Sequence, residues 1–345
     1  MFQTLKNAWK IPELKNKLLF TLLIIVLYRL GSAIPLPWVN SDTLQSWFSS
    51  QGGNALGWLN VLSGGALSRA TLFALSVSPY ITASIVVQLL TIAIPKFTDW
   101  SKEGESGQKK LSLVTRWLTV VLALVTAVGY TLYISNSGMV QTYKNTWENV
   151  VVKIVLVACY CAGAALIMWL AERINEFGIG NGISIILFAG ILSRVPSMVS
   201  SMISGLRAGT LAWWAAVLVV LGILALIVLI TWVNGAERRI PVQYAKRQVG
   251  RKMYGGQAST LPMKVNMSGV LPIIFAQSIA MIPSTIAAFC KQPAEGTFWY
   301  GFLNAIDTKS VLYMIFYFLM IIGFSYFYST IQFNPIEISN NLKKN

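Results

Sequence analysis

Long apolar runs alternate with short polar connections along the whole chain. At 1.5 Å per helical residue, a bilayer core of about 30 Å takes roughly 20 residues to cross. Eight runs meet that length: Leu18–Leu36, Thr71–Ile94, Leu113–Ile134, Val150–Leu170, Ile179–Val199, Leu211–Val233, Val270–Ala288 and Val311–Ile331. Their length predicts helices, because barrel strands are about ten residues long with alternating faces. The fold expected is all-α, a polytopic membrane protein with about eight transmembrane helices.

Most of these runs are plain Leu/Val/Ile, but the second and seventh are interrupted. The second is preceded by the Gly/Ser stretch LSGGALSRATLF, Leu62 to Phe73, and carries Pro79; the seventh follows Gly269 and carries Pro272 and Pro283. Proline frees a backbone carbonyl, and in lipid that is tolerated only against protein or a wet cavity. Breaks at matching places in two halves point to a transport pathway built from inverted repeats. Residues 1–199 then form a first half of five spans. Residues 200–345 form a second, with spans six to eight. Pro and Gly are also common in membrane helices generally.

Charge decides the topology. Only 11% of residues are charged, and the net charge is +15. The fifth run, broken by Gly190 and Pro196, is the weakest. If it spans, nineteen Lys and Arg fall on one side and six on the other. If it does not, the seven basic residues of loop 234–269 move to the outside, against the positive-inside rule. Eight spans with both ends in the cytoplasm follow. The N-terminal run is too long for a cleaved signal, and no A-x-A-like cleavage site is evident.

The chemistry available is narrow. There is no histidine, and Cys159, Cys161 and Cys290 form no CxxC pair. Triads and metal sites that use histidine are excluded, so neither catalytic nor metal-binding residues are assigned, and no cofactor. No GxxxxGK[ST] loop is present, so nucleotide hydrolysis would belong to a partner. No Asp or Glu lies inside any of the eight runs. Proton- or ion-coupled transport usually needs one, which favours a passive conduit over a small-molecule secondary transporter, the alternative reading.

Spacing singles out apolar pairs near the breaks. Val77 and Ile81 share a helix face, as do Ile183 and Leu187 after GIGNGIS, and Ile274 follows Pro272 by two residues. Such residues can line a hydrophobic constriction; they can equally face lipid or pack, and spacing does not decide. Loop 234–269 holds Arg238, Arg239, Lys246, Arg247, Arg251, Lys252 and Lys264 against the single acid Glu237. Residues 239–244 predict a short strand with a later partner, and Gly250, Gly255 and Gly256 supply turns. The loop reads either as topology and anionic-lipid contact or as a docking site for phosphate-rich RNA. Loop 95–112 is charged with both signs and predicts a flexible, solvated connection.

Several long strings resemble the bacterial SecY family, the channel subunits of the general protein translocase. They are GGALSRATLFALSVSPYITASIVVQLL (Gly64 to Leu90), KEGESGQKK, MWLAERINEFGIGNGISIILFAGI (Met168 to Ile191), ERRIPVQYAKRQVGRKMYGGQ, LPMKVNMSGVLPIIFA and QFNPIEISNNLKK. The resemblance implies two inverted halves around an hourglass pore with a lateral gate toward lipid, in a bacterial cytoplasmic membrane. It implies outward passage of unfolded secretory chains and sideways release of signal sequences and transmembrane segments. The implied partners are SecE, SecG, the ribosome or SecA, nascent chains and membrane lipids. The family's plug maps to about Val61–Thr71, with Ser63, Gly64, Gly65, Ala66, Leu67, Ser68 and Arg69 at its centre. Its pore ring maps onto Val77, Ile81, Ile183, Leu187 and Ile274, where Val77 is smaller than the usual isoleucine. Thr82, Gln88 and Gln277 map near the lateral gate. Arg238, Arg239, Lys246, Arg247, Arg251 and Lys252 map to the ribosome- or SecA-facing loop. The family has ten spans, so spans nine and ten, a second cytoplasmic tip and the sixth ring residue would lie beyond Asn345. A channel lacking them is expected to conduct poorly.

Overall fold

The computed structural model describes residues 9–50, 55–141, 143–242, 247–249, 252–254, 259–266, 269–270, 272–277, 279–280 and 310–332. These residues fall into two compact units: one is built from the chain up to Met198 with the stretch ending at Tyr313, and the other from Val199–Ala280 and the chain from Met314.

The first unit opens with α1, Pro12–Gly31, where Pro12 sits in the first turn and loses no bond the helix would have made. Its buried residues are Thr21, Ile24, Tyr28 and Gly31, three or four apart, so they form one stripe. Leu19, Leu22, Leu23, Val26, Leu27 and Leu30 point outward. Apolar side chains turned away from the protein on an otherwise packed helix are those of a helix solvated by lipid. Two shorter helices follow, α2 (Ser41–Ser50) and α3 (Ala55–Leu62). α4 covers Ser78–Ala93 and α5 Pro95–Lys102.

Two 32-residue helices make the wall of the unit, α6 (Glu105–Asn136) and α7 (Thr146–Phe177). α6 buries Thr115, Thr119, Ala123 and Ala127, a stripe of small residues every fourth position. Such stripes let membrane helices approach closely, since lipid offers no hydrophobic drive to associate. α6 packs against both α7 and α4. Arg116 of α6 pairs with Glu172 of α7 at 2.7 Å, so the acid two residues beyond the α7 apolar run is neutralised. α8 (Gly182–Leu192) packs on α7 where Gly182 meets the backbone of Ala171; an added Cβ there would overlap the Ala171 carbonyl oxygen. α9 (Val195–Arg207) follows after a break at Ser193 and Arg194.

The second unit contains α10 (Trp213–Gly235), four short strands and α11 (Val311–Gln332). Ala216 is the one buried residue assigned to α10, and Trp213, Trp214 and Trp232 project near its two ends. Nineteen residues of helix are about 28 Å, the distance between two membrane interfaces, where Trp concentrates. The strands β1 (Glu237–Val242) and β4 (Ser259–Lys264) pair antiparallel, with Arg238 opposite Met263 and Val242 opposite Ser259. Between them β2 (Arg247–Val249) and β3 (Lys252–Tyr254) form a second antiparallel pair with Val249 opposite Lys252. The strand expected over 239–244 is present, shifted two residues toward the N-terminus.

Among the described residues five helical stretches are long and apolar enough to cross a membrane: α6, α7, α8 with α9, α10 and α11. They match the third, fourth, fifth, sixth and eighth runs. The bent pair α4 and α5 makes a sixth if counted as one. α1 carries Lys15, Lys17 and Arg29 within its 20 residues, which separates it from these. The seventh run is helical at 272–277 and 279–280, and its remainder lies outside the described residues.

Two expectations are corrected. The second run is not a helix from Thr71: residues 72–77 are turns, and α4 begins only at Ser78, with Pro79 in its first turn. Loop 95–112 is not a flexible connection. α5 leaves α4 at 101°, and α6 starts at Glu105. Pro95 opens α5, Thr98 Oγ1 donates to the carbonyl of Thr91 at 2.6 Å across the bend, and Gly107 lets α6 meet the Trp100 carbonyl, where a Cβ would not fit.

Candidate functional site: a buried irregular segment and an apolar ring

Residues 63–77 run without helix or strand through the middle of the first unit. Irregular backbone at membrane depth needs every polar group satisfied inside the protein. Here the segment bonds largely to itself and to its neighbours. Gly65 N donates to Asn60 O at 2.8 Å, and Thr71 N to Ala66 O at 3.1 Å. Ser68 N donates to Asn60 Oδ1 at 2.9 Å, and Leu67 N to Ser63 Oγ at 3.2 Å. Leu36 N donates to Ala70 O at 3.0 Å and Leu72 N to Ile34 O at 3.1 Å, with a bridge between Pro35 and Thr71. Thus the stretch after α1 lies beside the segment as a strand-like neighbour.

Packing fixes the segment from both sides. Leu67, Ala70 and Ala74 join a core with Leu36, Ala127, Tyr130, Leu156 and Tyr160. Phe73 and Val77 join a second core with Ile24, Tyr28, Ile167, Ile174 and Ile186. The Phe73 ring stacks on Tyr28, centroids 5.9 Å apart and 9° from parallel. Three helices meet the segment through glycine. A Cβ on Gly31 of α1 would overlap the Phe73 ring, and one on Gly163 of α7 the Leu72 carbonyl. One on Gly190 of α8 would sit 2.8 Å from the Leu62 carbonyl. Gly64 and Gly65 take φ of 66° and 87°, the left-handed region that glycine enters without strain.

The residues assigned to the plug are therefore together. Ser63, Gly65, Ala66, Leu67 and Ser68 are buried, Gly64 partly so, and Arg69 projects outward. Four of the five assigned ring residues also converge. Val77, at the N-cap of α4, is buried in the second core, and Ile81, Ile183 and Leu187 pack against it while remaining partly exposed. The GIGNGIS stretch holds the latter two in place. Asn181 caps α8 by accepting from Ile183 N and Ser184 N at 3.1 and 3.2 Å. Asn175 Oδ1 accepts from Gly182 N at 2.7 Å, and Thr21 Oγ1 from Ile179 N at 3.2 Å. Ile274 is half-buried in the second unit.

Of the residues assigned near a lateral gate, Thr82 donates to Ser78 O at 3.1 Å and Gln88 is exposed on α4. Gln277 lies in the second unit, where its Oε1 accepts from the Tyr317 hydroxyl of α11 at 3.4 Å. In the basic loop Arg238 and Arg239 stand exposed on β1, and the backbones of Arg247 and Lys252 lie in β2 and β3. Lys246 and Arg251 lie outside the described residues. Among the described residues no cluster of His, Cys, Asp and Glu has the make-up of a metal site.

Sequence reasoning did not single out Asn60, Tyr130, Gly163 or Asn175, each of which holds part of this site. Asn60 and Tyr130 are polar groups within apolar stretches, and that was the signal available.

Comparison with known proteins decides the family. A family model described as SecY matches residues 71–345. This chain belongs to the SecY family. It is 41% identical to a Streptomyces coelicolor protein named protein translocase subunit SecY, over 100% of this chain and 80% of that one. A Halalkalibacterium halodurans protein of the same name is 42% identical with the same coverage. Solved structures share the fold at low identity. One described as a protein-conducting channel aligns at a TM-score of 0.59 and 16% identity, over 92% of this chain and 75% of that chain. A SecY structure whose plug domain is described as stabilising the closed state aligns at 0.61 and 16%, over 97% of this chain and 79% of that one. As a SecY-family chain it is a multi-pass membrane protein with helical spans.

Proposed function

We propose that this chain is the channel subunit of a protein translocase, passing unfolded secretory chains through a pore and releasing transmembrane segments sideways into lipid. Full-length identity of about 40% to relatives named protein translocase subunit SecY carries the reading. The internal arrangement supports it. An apolar, non-catalytic constriction passes a chain by fitting around it and excludes ions by dewetting, with no tight binding site. Val77, Ile81, Ile183 and Leu187 are the ring residues of the first unit, and Ile274 is the ring residue of the second. The channel performs no bond chemistry; energy comes from a partner.

Segment 63–69 serves as the plug, as the plug domain of the related SecY structure is described to stabilise the closed state and maintain a membrane seal. Loop 234–269 is the cytoplasmic docking surface. A distant structural relative, canine Sec61, has been solved in a ribosome–channel complex. Exposed guanidinium groups on a small antiparallel sheet suit the phosphate backbone of RNA. The lateral gate runs past Thr82, Gln88 and Gln277. SecE and SecG are the partner subunits, SecA the alternative occupant of the cytoplasmic face, and the bacterial cytoplasmic membrane the location.

The test is cross-linking of a stalled secretory chain with photoreactive residues at Ile81, Ile183 and Ile274. Adducts at all three are expected. Adducts at none, in folded and inserted protein, would overturn the channel reading.

A further inference from the structure

Most hydrogen bonds of segment 63–69 are local. They run within residues 63–71 or back to Asn60 and Val61 at the end of α3, and they travel with the segment if it moves together with that helix end. Two reach other parts of the unit. Ser193 Oγ, whose short bond is to the Gly190 carbonyl, lies 3.5 Å from the Gly64 carbonyl, at the limit of a hydrogen bond, and the other contact is short. Tyr130, on the long helix α6, donates its hydroxyl proton to the Leu67 carbonyl at 2.7 Å, across 63 residues of sequence. Tyr130 is 4% exposed and embedded in the core that also holds Leu67, Ala70 and Ala74. The Leu67 carbonyl has a second donor, Ala70 N at 3.1 Å, but that bond stays with the segment. Displacement of the segment therefore breaks the Tyr130 bond, the short one of the two, and leaves a buried hydroxyl without its acceptor.

A neighbouring side chain shows that the ring alone does not explain the bond. Tyr160 of α7 stacks edge-on against Tyr130, centroids 5.3 Å apart at 70°. It is as buried as Tyr130, yet its hydroxyl has no hydrogen-bond partner among the described residues. Two phenols share one apolar site, and one is bonded to the segment. A charged neighbour carries the reverse influence. The Arg194 guanidinium lies 3.9 Å from where a Cβ on Gly65 would stand, and the like charge of Arg69 on the segment acts on it. Two cations at one edge favour departure of the segment.

We infer that the Tyr130 hydroxyl is a latch: by holding the main-chain carbonyl of Leu67 it sets how often segment 63–69 leaves its seat, and so how tightly the resting channel is sealed. The inference rests on the reading of that segment as the plug. Because the latch grips backbone, it works whatever the side chains of the segment. Tyr130 is a positioning residue, acting through the segment it holds.

The experiment uses the channel complex in lipid vesicles, with Cys159, Cys161 and Cys290 replaced by Ser throughout. Ala66→Cys, buried when the segment is seated, reports departure through its labelling rate by a membrane-impermeant maleimide added outside. Ion leak is measured in parallel. Tyr130→Phe keeps the ring and its packing; loss of one net hydrogen bond raises the labelling rate and the leak about fivefold. Tyr160→Phe removes a hydroxyl that holds nothing and leaves both unchanged. Equal acceleration by the two variants would assign the effect to ring packing and overturn the latch. So would a Tyr130→Phe channel that labels at the parent rate. Deletion of residues 63–69 separates the underlying reading. A raised leak on deletion with no effect of Tyr130→Phe sinks the latch and leaves the plug standing. An unchanged leak on deletion sinks the plug itself.

Discussion

Gly163 lies midway along α7 with the Leu72 carbonyl pressed against its Cα, so that no Cβ fits between them. The obstacle is backbone on both sides and cannot rotate away. Gly163→Ala is expected to cost about 2 kcal/mol or more through overpacking, read as a lower unfolding temperature in detergent and a poorer folded yield. An unchanged melting profile would mean that the segment relaxes without loss. Of the proposed ring residues, Ile81, Ile183 and Leu187 respond differently, because they are partly exposed. Ile183→Asn puts an amide where the proposed constriction needs an apolar surface, on a helix end already fixed by the Asn181 cap. It is expected to leave folding intact, raise ion leak several-fold and relax selectivity for signal sequences, since a polar ring rewets. Equal leak from variant and parent in planar bilayers would remove Ile183 from the ring.

At the scale of elements, the informative features are those where the chain departs from a plain helix. The 63–77 segment is irregular because Gly64, Gly65 and three helix glycines make room for it, and because Asn60, Ser63 and Ser68 satisfy its backbone. The α4–α5 bend turns the chain by 101° at Pro95. The basic loop folds as two nested antiparallel strand pairs, so its charges sit on a defined scaffold. β2 and β3 pair Val249 with Lys252, which leaves Gly250 and Arg251 as the two residues between them. Replacing Arg251 and Lys252 together by Glu is expected to weaken ribosome binding at least tenfold, with a smaller salt dependence than the parent. Binding equal to the parent at low salt would return the loop to lipid contact and topology.

For the whole molecule, charge placement is the strongest global signal. If all eight runs cross, nineteen Lys and Arg fall on one side and six on the other, which predicts that the 95–112 and 234–269 segments are cytoplasmic. Single cysteines at Ser101 and at Thr210 test this directly. Impermeant maleimide added to intact cells is expected to label Thr210→Cys and not Ser101→Cys, and inverted vesicles to show the reverse. Labelling of both from the same side would require one fewer crossing between them, and the fifth run would be the one to fail.

Run lengths determine the helical membrane class and the positions of the third, fourth, fifth, sixth and eighth runs as helices long enough to cross, and charge asymmetry predicts the side on which the basic loop lies, because each is a local property of composition. The paired strand in that loop was legible for the same reason. The start of α4 was not. Thr71 to Val77 is as apolar as a helix, and its turns exist because Gly31 and Gly163 on other helices receive Leu72 and Phe73. The convergence of Val77, Ile81, Ile183 and Leu187 was equally out of reach. In water a helix shows its packed face by contrast with a polar one. In lipid both faces are apolar: α1 turns Leu22 and Val26 outward while burying Ile24 and Tyr28. Hydropathy therefore marks that a helix crosses the membrane, and only the packing of its neighbours decides which side chains meet.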